Sequence, residues 1–272
     1  MATRSRPGAK PGATRQQVER RERFERARRD SLREPEAPAA IYGWHTVTAA
    51  LRNPARRLRK LLATENAARR LTEEGIEPQI APEIVRPSAI AERLTPDAVH
   101  QGLYLEADSL PSPAVEDIPR QGVVLVLDQI TDPHNVGAIF RSAAAFAATA
   151  IVTTQRHSPE ATGALAKAAS GALEDVPLVS VQNLARGLAA LKAAGFLVVG
   201  LDGSGESSLA ELPLRAPIAL VLGAEGKGLR QLTKETCDYV ARIDLPGTLK
   251  SLNVSNAAAV SLYVVSQRLK PR

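Results

Sequence analysis

From Gln121 onward the chain repeats one pattern: a short apolar run, then a longer stretch with helical spacing. The runs are VVLVLD (123–128), AIVTT (150–154), Pro177–Val181, FLVVGL (196–201), IALVLG (218–223) and Val240–Leu245. They lack strict polar–apolar alternation, which marks strands covered on both faces. Helices are expected over Val136–Ala147, Ala161–Ser170, Asn183–Ala194, Leu229–Thr236 and about Asn253–Leu269. The fold class that follows is α/β, a parallel sheet with helices on both sides.

Upstream the texture changes. IYGWHTVTAALR opens at Ile41 with an apolar start, a Gly turn and a helical pattern; Leu58–Leu62, Glu65–Glu74, IAPEIV, Pro87–Leu94 and Leu103–Ala107 continue an α/β alternation. A small α/β domain is expected at 39–108, a Pro- and Ser-rich linker at 109–120, and the large domain at 121–272. Residues 1–38 form an extension expected to be disordered. Residues 1–40 hold eleven Lys/Arg against six Asp/Glu, so five of the six net positive charges lie there. Such an arm attracts any polyanion without reading sequence. The run Thr14–Arg33 is either a solvated charged helix or an arm that orders on RNA.

Several classes are excluded. No apolar run is long enough to span a membrane, and the N-terminus has no secretory apolar core. Cys237 is the single cysteine and cannot form an internal disulfide; it fits a reducing cytoplasm. His45, His100, His134 and His157 show no metal-ligand spacing with it, so no metal is expected. The loop after the first strand, Asp128–Gly137, has one late glycine rather than G-x-G-x-x-G, which disfavours a nicotinamide oxidoreductase. Gly223-Ala224-Glu225-Gly226-Lys227-Gly228 is not a P-loop, and no G-x-S-x-G is present.

Polar and Gly/Pro residues concentrate in three blocks at strand ends, where open α/β sheets bind ligands. They are LDQITDPHNVGAIFRSAAAF (127–146), LVLGAEGKGLR (220–230) and IDLPGTLKSLNVSNAAAVSLY (243–263). From the residues alone, Asn135 is a helix cap and Arg141 a surface charge. Glu225 is either solvent-facing or a pocket residue, and Ser251 and Asn253 cap the last helix. Trp44 and His45 read as core or turn residues.

Together the blocks, in this order and at these spacings, resemble the three motifs of the SpoU (TrmH-like) family of the SPOUT class of RNA 2′-O-methyltransferases. The likeness runs from Gln121 to Leu269 and takes in KAASGALEDVPL (167–178). It implies a C-terminal trefoil knot, a rare departure from unthreaded topology. The knot would hold S-adenosyl-L-methionine through Leu201, Gly223, Ile243 and Leu252. The resemblance also implies catalytic roles for Asn135, Arg141, Glu225, Ser251 and Asn253, with Arg141 supplied to the RNA across a homodimer interface. Ile41–His45 with His100-Gln101-Gly102-Leu103 resembles the family's substrate-binding domain, related to ribosomal protein L30e. That domain order is similar to members that modify a guanosine of 23S ribosomal RNA. A tRNA target, or a non-catalytic RNA-binding or ribosome-assembly role, are the alternatives. The sequence departs from the family pattern at Ala147, where glycine is common, at Asp244-Leu245-Pro246, and at Lys250.

Overall fold

The computed structural model describes residues 38–156, 158–159, 161, 163–248 and 251–269. The expected basic extension, apart from its last residue, and Lys250 lie outside them.

The N-terminal elements are β1 (Ala39–Tyr42), α1 (Trp44–Arg52), β2 (Leu58–Ala63), α2 (Glu65–Glu73), β3 (Glu83–Ile84), α3 (Pro87–Ala91) and β4 (Leu103–Ala107). They form a four-stranded sheet in the order β1-β4-β2-β3, with β4 antiparallel to both neighbours and β3 parallel to β2. Helix α2 shows why the local sequence is sufficient. Thr64 caps it, accepting a hydrogen bond from the Ala67 amide, and Ala67 and Leu71, four apart, form its buried stripe. That stripe meets Ile41, Trp44, Val47, Leu61, Leu103 and Leu105 in one cluster.

The larger layer contains β5 (Val123–Asp128), α4 (Pro133–Ala145), β6 (Ala150–Thr154), α5 (Gly163–Ala169), β7 (Leu178–Val181) and α6 (Leu184–Ala193). It continues through β8 (Leu197–Leu201), β9 (Ser207–Ser208), β10 (Ile218–Gly223), α7 (Gln231–Thr236), β11 (Tyr239–Arg242) and α8 (Val254–Arg268). Its seven strands run in the order β7-β6-β5-β10-β8-β11-β9, and every pairing is parallel. Side chains alternate across the sheet. Leu125, Leu127, Ile151, Val199 and Leu220 face α4 and α8, whereas Val124, Val126, Val152, Val198 and Val221 face α6. This two-sided burial is what the unbroken apolar runs encode. Val115 and Ile118 are buried in the second cluster, and Ser112 Oγ accepts from the Ser180 amide at 2.9 Å, so the 109–120 segment packs against the α6 side of the sheet and touches β7 at Ser180.

A buried ion pair joins the two layers. Arg56 Nη2 donates to Glu174 Oε1 at 2.5 Å and its Nε to Oε2 at 3.2 Å, with both side chains at most 5% exposed. Asn53 Nδ2 adds a third donor at 2.7 Å.

Two boundaries differ from expectation for physical reasons. Helix α4 starts at Pro133, three residues before Val136, because Asp132 caps it by accepting from the His134 amide at 3.1 Å. Asn135 is therefore not the cap. The sixth apolar run pairs only as Tyr239–Arg242 rather than through Leu245. Strand β9 has no sequence signal: two serines pair with Ala241 and Arg242 only because the chain passes there.

Candidate active site

The sheet order locates the site before any side chain is considered. From β5 the chain moves outward through β6 and β7; it then returns to β8 on the other side, and β10 fills the gap between. Ligands of open parallel sheets bind beyond the C-terminal strand ends at such a reversal. Here those ends are Asp128 on β5, Gly223 on β10 and Leu201 on β8, with Ile243 just past β11.

The turn after β10 doubles back tightly. Gly228 donates its amide to the Ala224 carbonyl at 2.9 Å. A Cβ on Gly223 would stand 2.2 Å from the Gly228 carbonyl carbon, so only glycine permits this approach. Two carboxylates anchor the outgoing limb. Asp128, almost fully buried, accepts from Arg230 Nε at 2.7 Å, the Arg230 amide at 3.2 Å and Thr233 Oγ1 at 2.7 Å. Asp202, after β8, accepts from Ser204, from the Leu229 amide at 3.4 Å and from Lys234 Nζ at 2.8 Å. Burial opposes ionisation of Asp202, but the bonds from Lys234, Ser204 and the backbone outweigh it and hold the carboxyl well below its ordinary range. Asp128 and Asp202 were not singled out from the sequence. Their available signal was an acid closing, or immediately following, an apolar strand run.

On this anchored turn, Glu225 meets side chains from the other two blocks. Asn253 Nδ2 donates to Glu225 Oε1 at 2.6 Å and to Asn135 Oδ1 at 2.9 Å. Asn135 Nδ2 donates to the same Glu225 oxygen at 3.2 Å, and the Val254 amide adds a bond at 3.3 Å. The cap of α8 fixes the polarity of the cluster. Asn253 Oδ1 accepts from the Ser255 amide at 2.9 Å and from Ser255 Oγ at 2.5 Å, so its NH2 group must face Glu225 and Asn135. Capping and site-building are thus one function of Asn253.

The remaining candidates are placed differently. Arg141 lies on α4, exposed, with no ion pair to any described residue. Six residues along a helix amount to a rotation of about 240°, so Arg141 and Asn135 occupy different faces. Ser251 is exposed, and no bond ties it to the cluster among the described residues. Leu201 is buried, Ile243 half-buried, and Leu252 stays 37% exposed beside the cluster residue Asn253. Leu201 and Gly223 end the neighbouring parallel strands β8 and β10, and Ile243 directly follows β11 on the other side of β8. Backbone groups at strand ends beside apolar Leu201, Ile243 and Leu252 suit a nucleoside with an amino-acid tail. Among the described residues no cluster of His, Cys, Asp or Glu could hold a metal ion, and no helix is long and apolar enough to cross a membrane.

Parallel strands, a doubled-back glycine turn and a carboxylate–amide cluster meet at the reversal, and the fold is that of the SPOUT class of methyltransferases. A TrmH-family structure from Porphyromonas gingivalis matches 95% of this chain and 100% of its own with a TM-score of 0.73 at 26% identity. The chain belongs to the SpoU rRNA methylase family, whose model matches residues 122–263; the model for RNA 2′-O ribose methyltransferase substrate binding matches 40–113. The 23S rRNA (guanosine-2′-O-)-methyltransferase RlmB of Pseudomonas putida is 38% identical over 240 residues, covering 84% of this chain and 96% of that protein. The SpoU methyltransferase AviRb of Streptomyces viridochromogenes, solved with AdoMet, shares the fold: TM-score 0.71 at 24% identity, covering 90% and 93% of the two chains.

Proposed function

We propose that this chain methylates the ribose 2′-oxygen of a guanosine in 23S ribosomal RNA, using S-adenosyl-L-methionine. The observation that carries the reading is the Asn135–Glu225–Asn253 cluster, which draws one polar side chain from each of three separate blocks to the strand ends. Full-length relatives named for the ribosomal guanosine reaction favour that target over tRNA.

When bound, S-adenosyl-L-methionine supplies an electrophilic methyl group on a sulfonium. Leu201, Gly223, Ile243 and Leu252 hold it, the glycine by backbone approach and the others as apolar walls. Asn135, Glu225 and Asn253 shape the polar side of the pocket, and Ser251 contributes to the same edge. Arg141 would orient the ribose hydroxyl and stabilise the negative charge developing on its oxygen as the O–C bond forms, the methyl–sulfur bond breaks and the hydroxyl proton passes to solvent water. Alignment of the reacting atoms provides much of the acceleration.

The pocket is completed in a homodimer. The position of Arg141, on a face of α4 away from Asn135, supports this, because a second copy can bring that guanidinium to the cluster. Two domains, 39–108 and 121–272 joined by 109–120, divide the work: the first engages RNA and the second, knotted, performs transfer in the cytoplasm. Residues 1–38 add salt-sensitive attraction for RNA.

The test is to map 2′-O-methyl groups in total RNA from a strain lacking the gene, then restore them with purified enzyme and labelled cofactor. Loss and restoration at one 23S guanosine is expected. A mark lost from tRNA, or from no RNA, rejects the assignment.

A further inference from the structure

The small sheet carries a groove of about 510 Å³ that the reaction described above does not use. Its floor is unusual. The guanidinium carbon of Arg70 lies over the Trp44 ring, 3.8 Å from its centroid, and Trp44 is only 3% exposed beneath it. Arg70 Nε donates to Glu74 Oε1 at 2.8 Å, which anchors the guanidinium, yet the side chain remains 52% exposed. One guanidinium face is therefore packed on indole and the other is open to the groove.

The walls supply edge contacts. Gly102 donates its amide to His100 Nδ1 at 3.1 Å, so the ring proton sits on Nε2 and is available as a donor. Burial first, and Lys167 second, lower the His100 pKa and keep the ring neutral. Gln101 Oε1 accepts from the Trp44 amide at 2.9 Å and Lys167 Nζ at 3.3 Å, which leaves its NH2 group unused by either bond. Val99 stands 63% exposed on the rim.

We propose that this groove binds one unpaired nucleobase of the RNA substrate, stacked on the open face of Arg70 and held at its edge by His100 and Gln101. A flat cation on an aromatic base plate, beside neutral donors and an apolar rim, matches a planar heterocycle rather than a phosphate. A phosphate site would gather free charges and backbone amides, whereas here Arg70 is engaged by Glu74, Lys167 by Val99 and Gln101, and the Gly102 amide by His100. Unpaired bases splayed from a loop stack on guanidinium planes in this way. The groove is also tied to the catalytic layer. Lys167 of α5 donates to the Val99 carbonyl at 3.0 Å, and α5 packs against α4 so closely that a Cβ on Gly137 would stand 2.3 Å from Ala168 Cβ. A base held here is thereby registered against the helix that bears Asn135 and Arg141. The proposal rests on the assignment of RNA as substrate.

Trp44 is the one tryptophan of the chain, so its fluorescence reports on this groove alone. Purified full-length protein is titrated with a purine-containing single-stranded oligoribonucleotide and with the same sequence as a duplex. A saturable emission change with the single strand but not the duplex is expected. No change, or the same change with both, overturns the proposal. Steady-state methylation of the natural RNA then compares Arg70→Ala with Arg70→Lys. Loss of one base stack raises KM about tenfold at unchanged kcat. Lysine, which keeps the charge and loses the plane, should be no better than alanine. Recovery with lysine overturns stacking in favour of a point charge. The two readings fail separately: methyl transfer to RNA with a silent Trp44 sinks the groove alone, whereas a responding Trp44 without methyl transfer sinks the enzymatic assignment alone.

Discussion

Glu174→Ala tests how the two layers are held together. Glu174 accepts three hydrogen bonds, from Arg56 Nη2, Arg56 Nε and Asn53 Nδ2, and both charged side chains are almost wholly removed from water. Truncation leaves the Arg56 charge buried, with only the bond from its Nη1 to the Asp108 carbonyl at 2.9 Å intact. Removing one partner of such a pair costs about 3–5 kcal/mol, because the survivor keeps its desolvation penalty and loses its compensation. Replacing both partners with apolar residues of similar volume is close to neutral by the same reasoning. Urea unfolding followed through Trp44 should show the full loss for Glu174→Ala and for Glu174→Leu, and recovery in Arg56→Met/Glu174→Leu. The coupling energy should exceed about 2 kcal/mol. A loss below about 1 kcal/mol, or single effects that simply add, would refute the claim that this pair is a dry, mutually dependent contact.

Four further outcomes are expected. Arg141→Ala should lower kcat by about 10²–10³ while calorimetric binding of S-adenosyl-L-methionine survives; normal turnover would remove Arg141 from the mechanism. Gly223→Ala puts a methyl into the Gly228 backbone and should weaken cofactor binding by more than about tenfold without unfolding the chain, as read by calorimetry and circular dichroism. Asp202 has a depressed folded pKa, so its stabilisation is complete above its unfolded value of about 4 and disappears as pH falls through the folded one; Asp202→Asn should flatten the acid limb of a stability–pH curve, and an unchanged limb would contradict this. Ala147 sits at φ 51°, so Ala147→Gly relieves about 1–2 kcal/mol of backbone strain against about 0.4–1 kcal/mol of added unfolded-state entropy; a small rise in the unfolding midpoint is expected, and a fall would argue against strain.

The sequence carried the parallel sheet because its signal is local: each buried strand spells out its own two-sided environment, as VVLVLD does in β5. Ala147 is another local case, since the chain turns left-handed directly after α4, a conformation that suits glycine. What stayed hidden depends on distant partners. The start of α4 was misplaced because Asn135 looks like a cap, and only its bond to Glu225, ninety positions away, shows that the amide is otherwise engaged. Asp132-Pro133 was the better signal. The Asp128–Arg230 and Arg56–Glu174 pairs likewise join residues more than a hundred positions apart, and neither member advertises the other. Convergence of Asn135, Glu225 and Asn253 could be anticipated from the family motifs, but the role of the α8 cap in fixing which end of each amide points inward required coordinates.

The position of β10 has a consequence for biogenesis. This strand lies between β5 and β8 yet is made after both, so a nascent chain that stops short of Ile218 leaves two aliphatic strand edges unpaired. Residues that close the pocket, up to Asn253, emerge later still. Premature termination should therefore yield a sticky fragment rather than a smaller working enzyme.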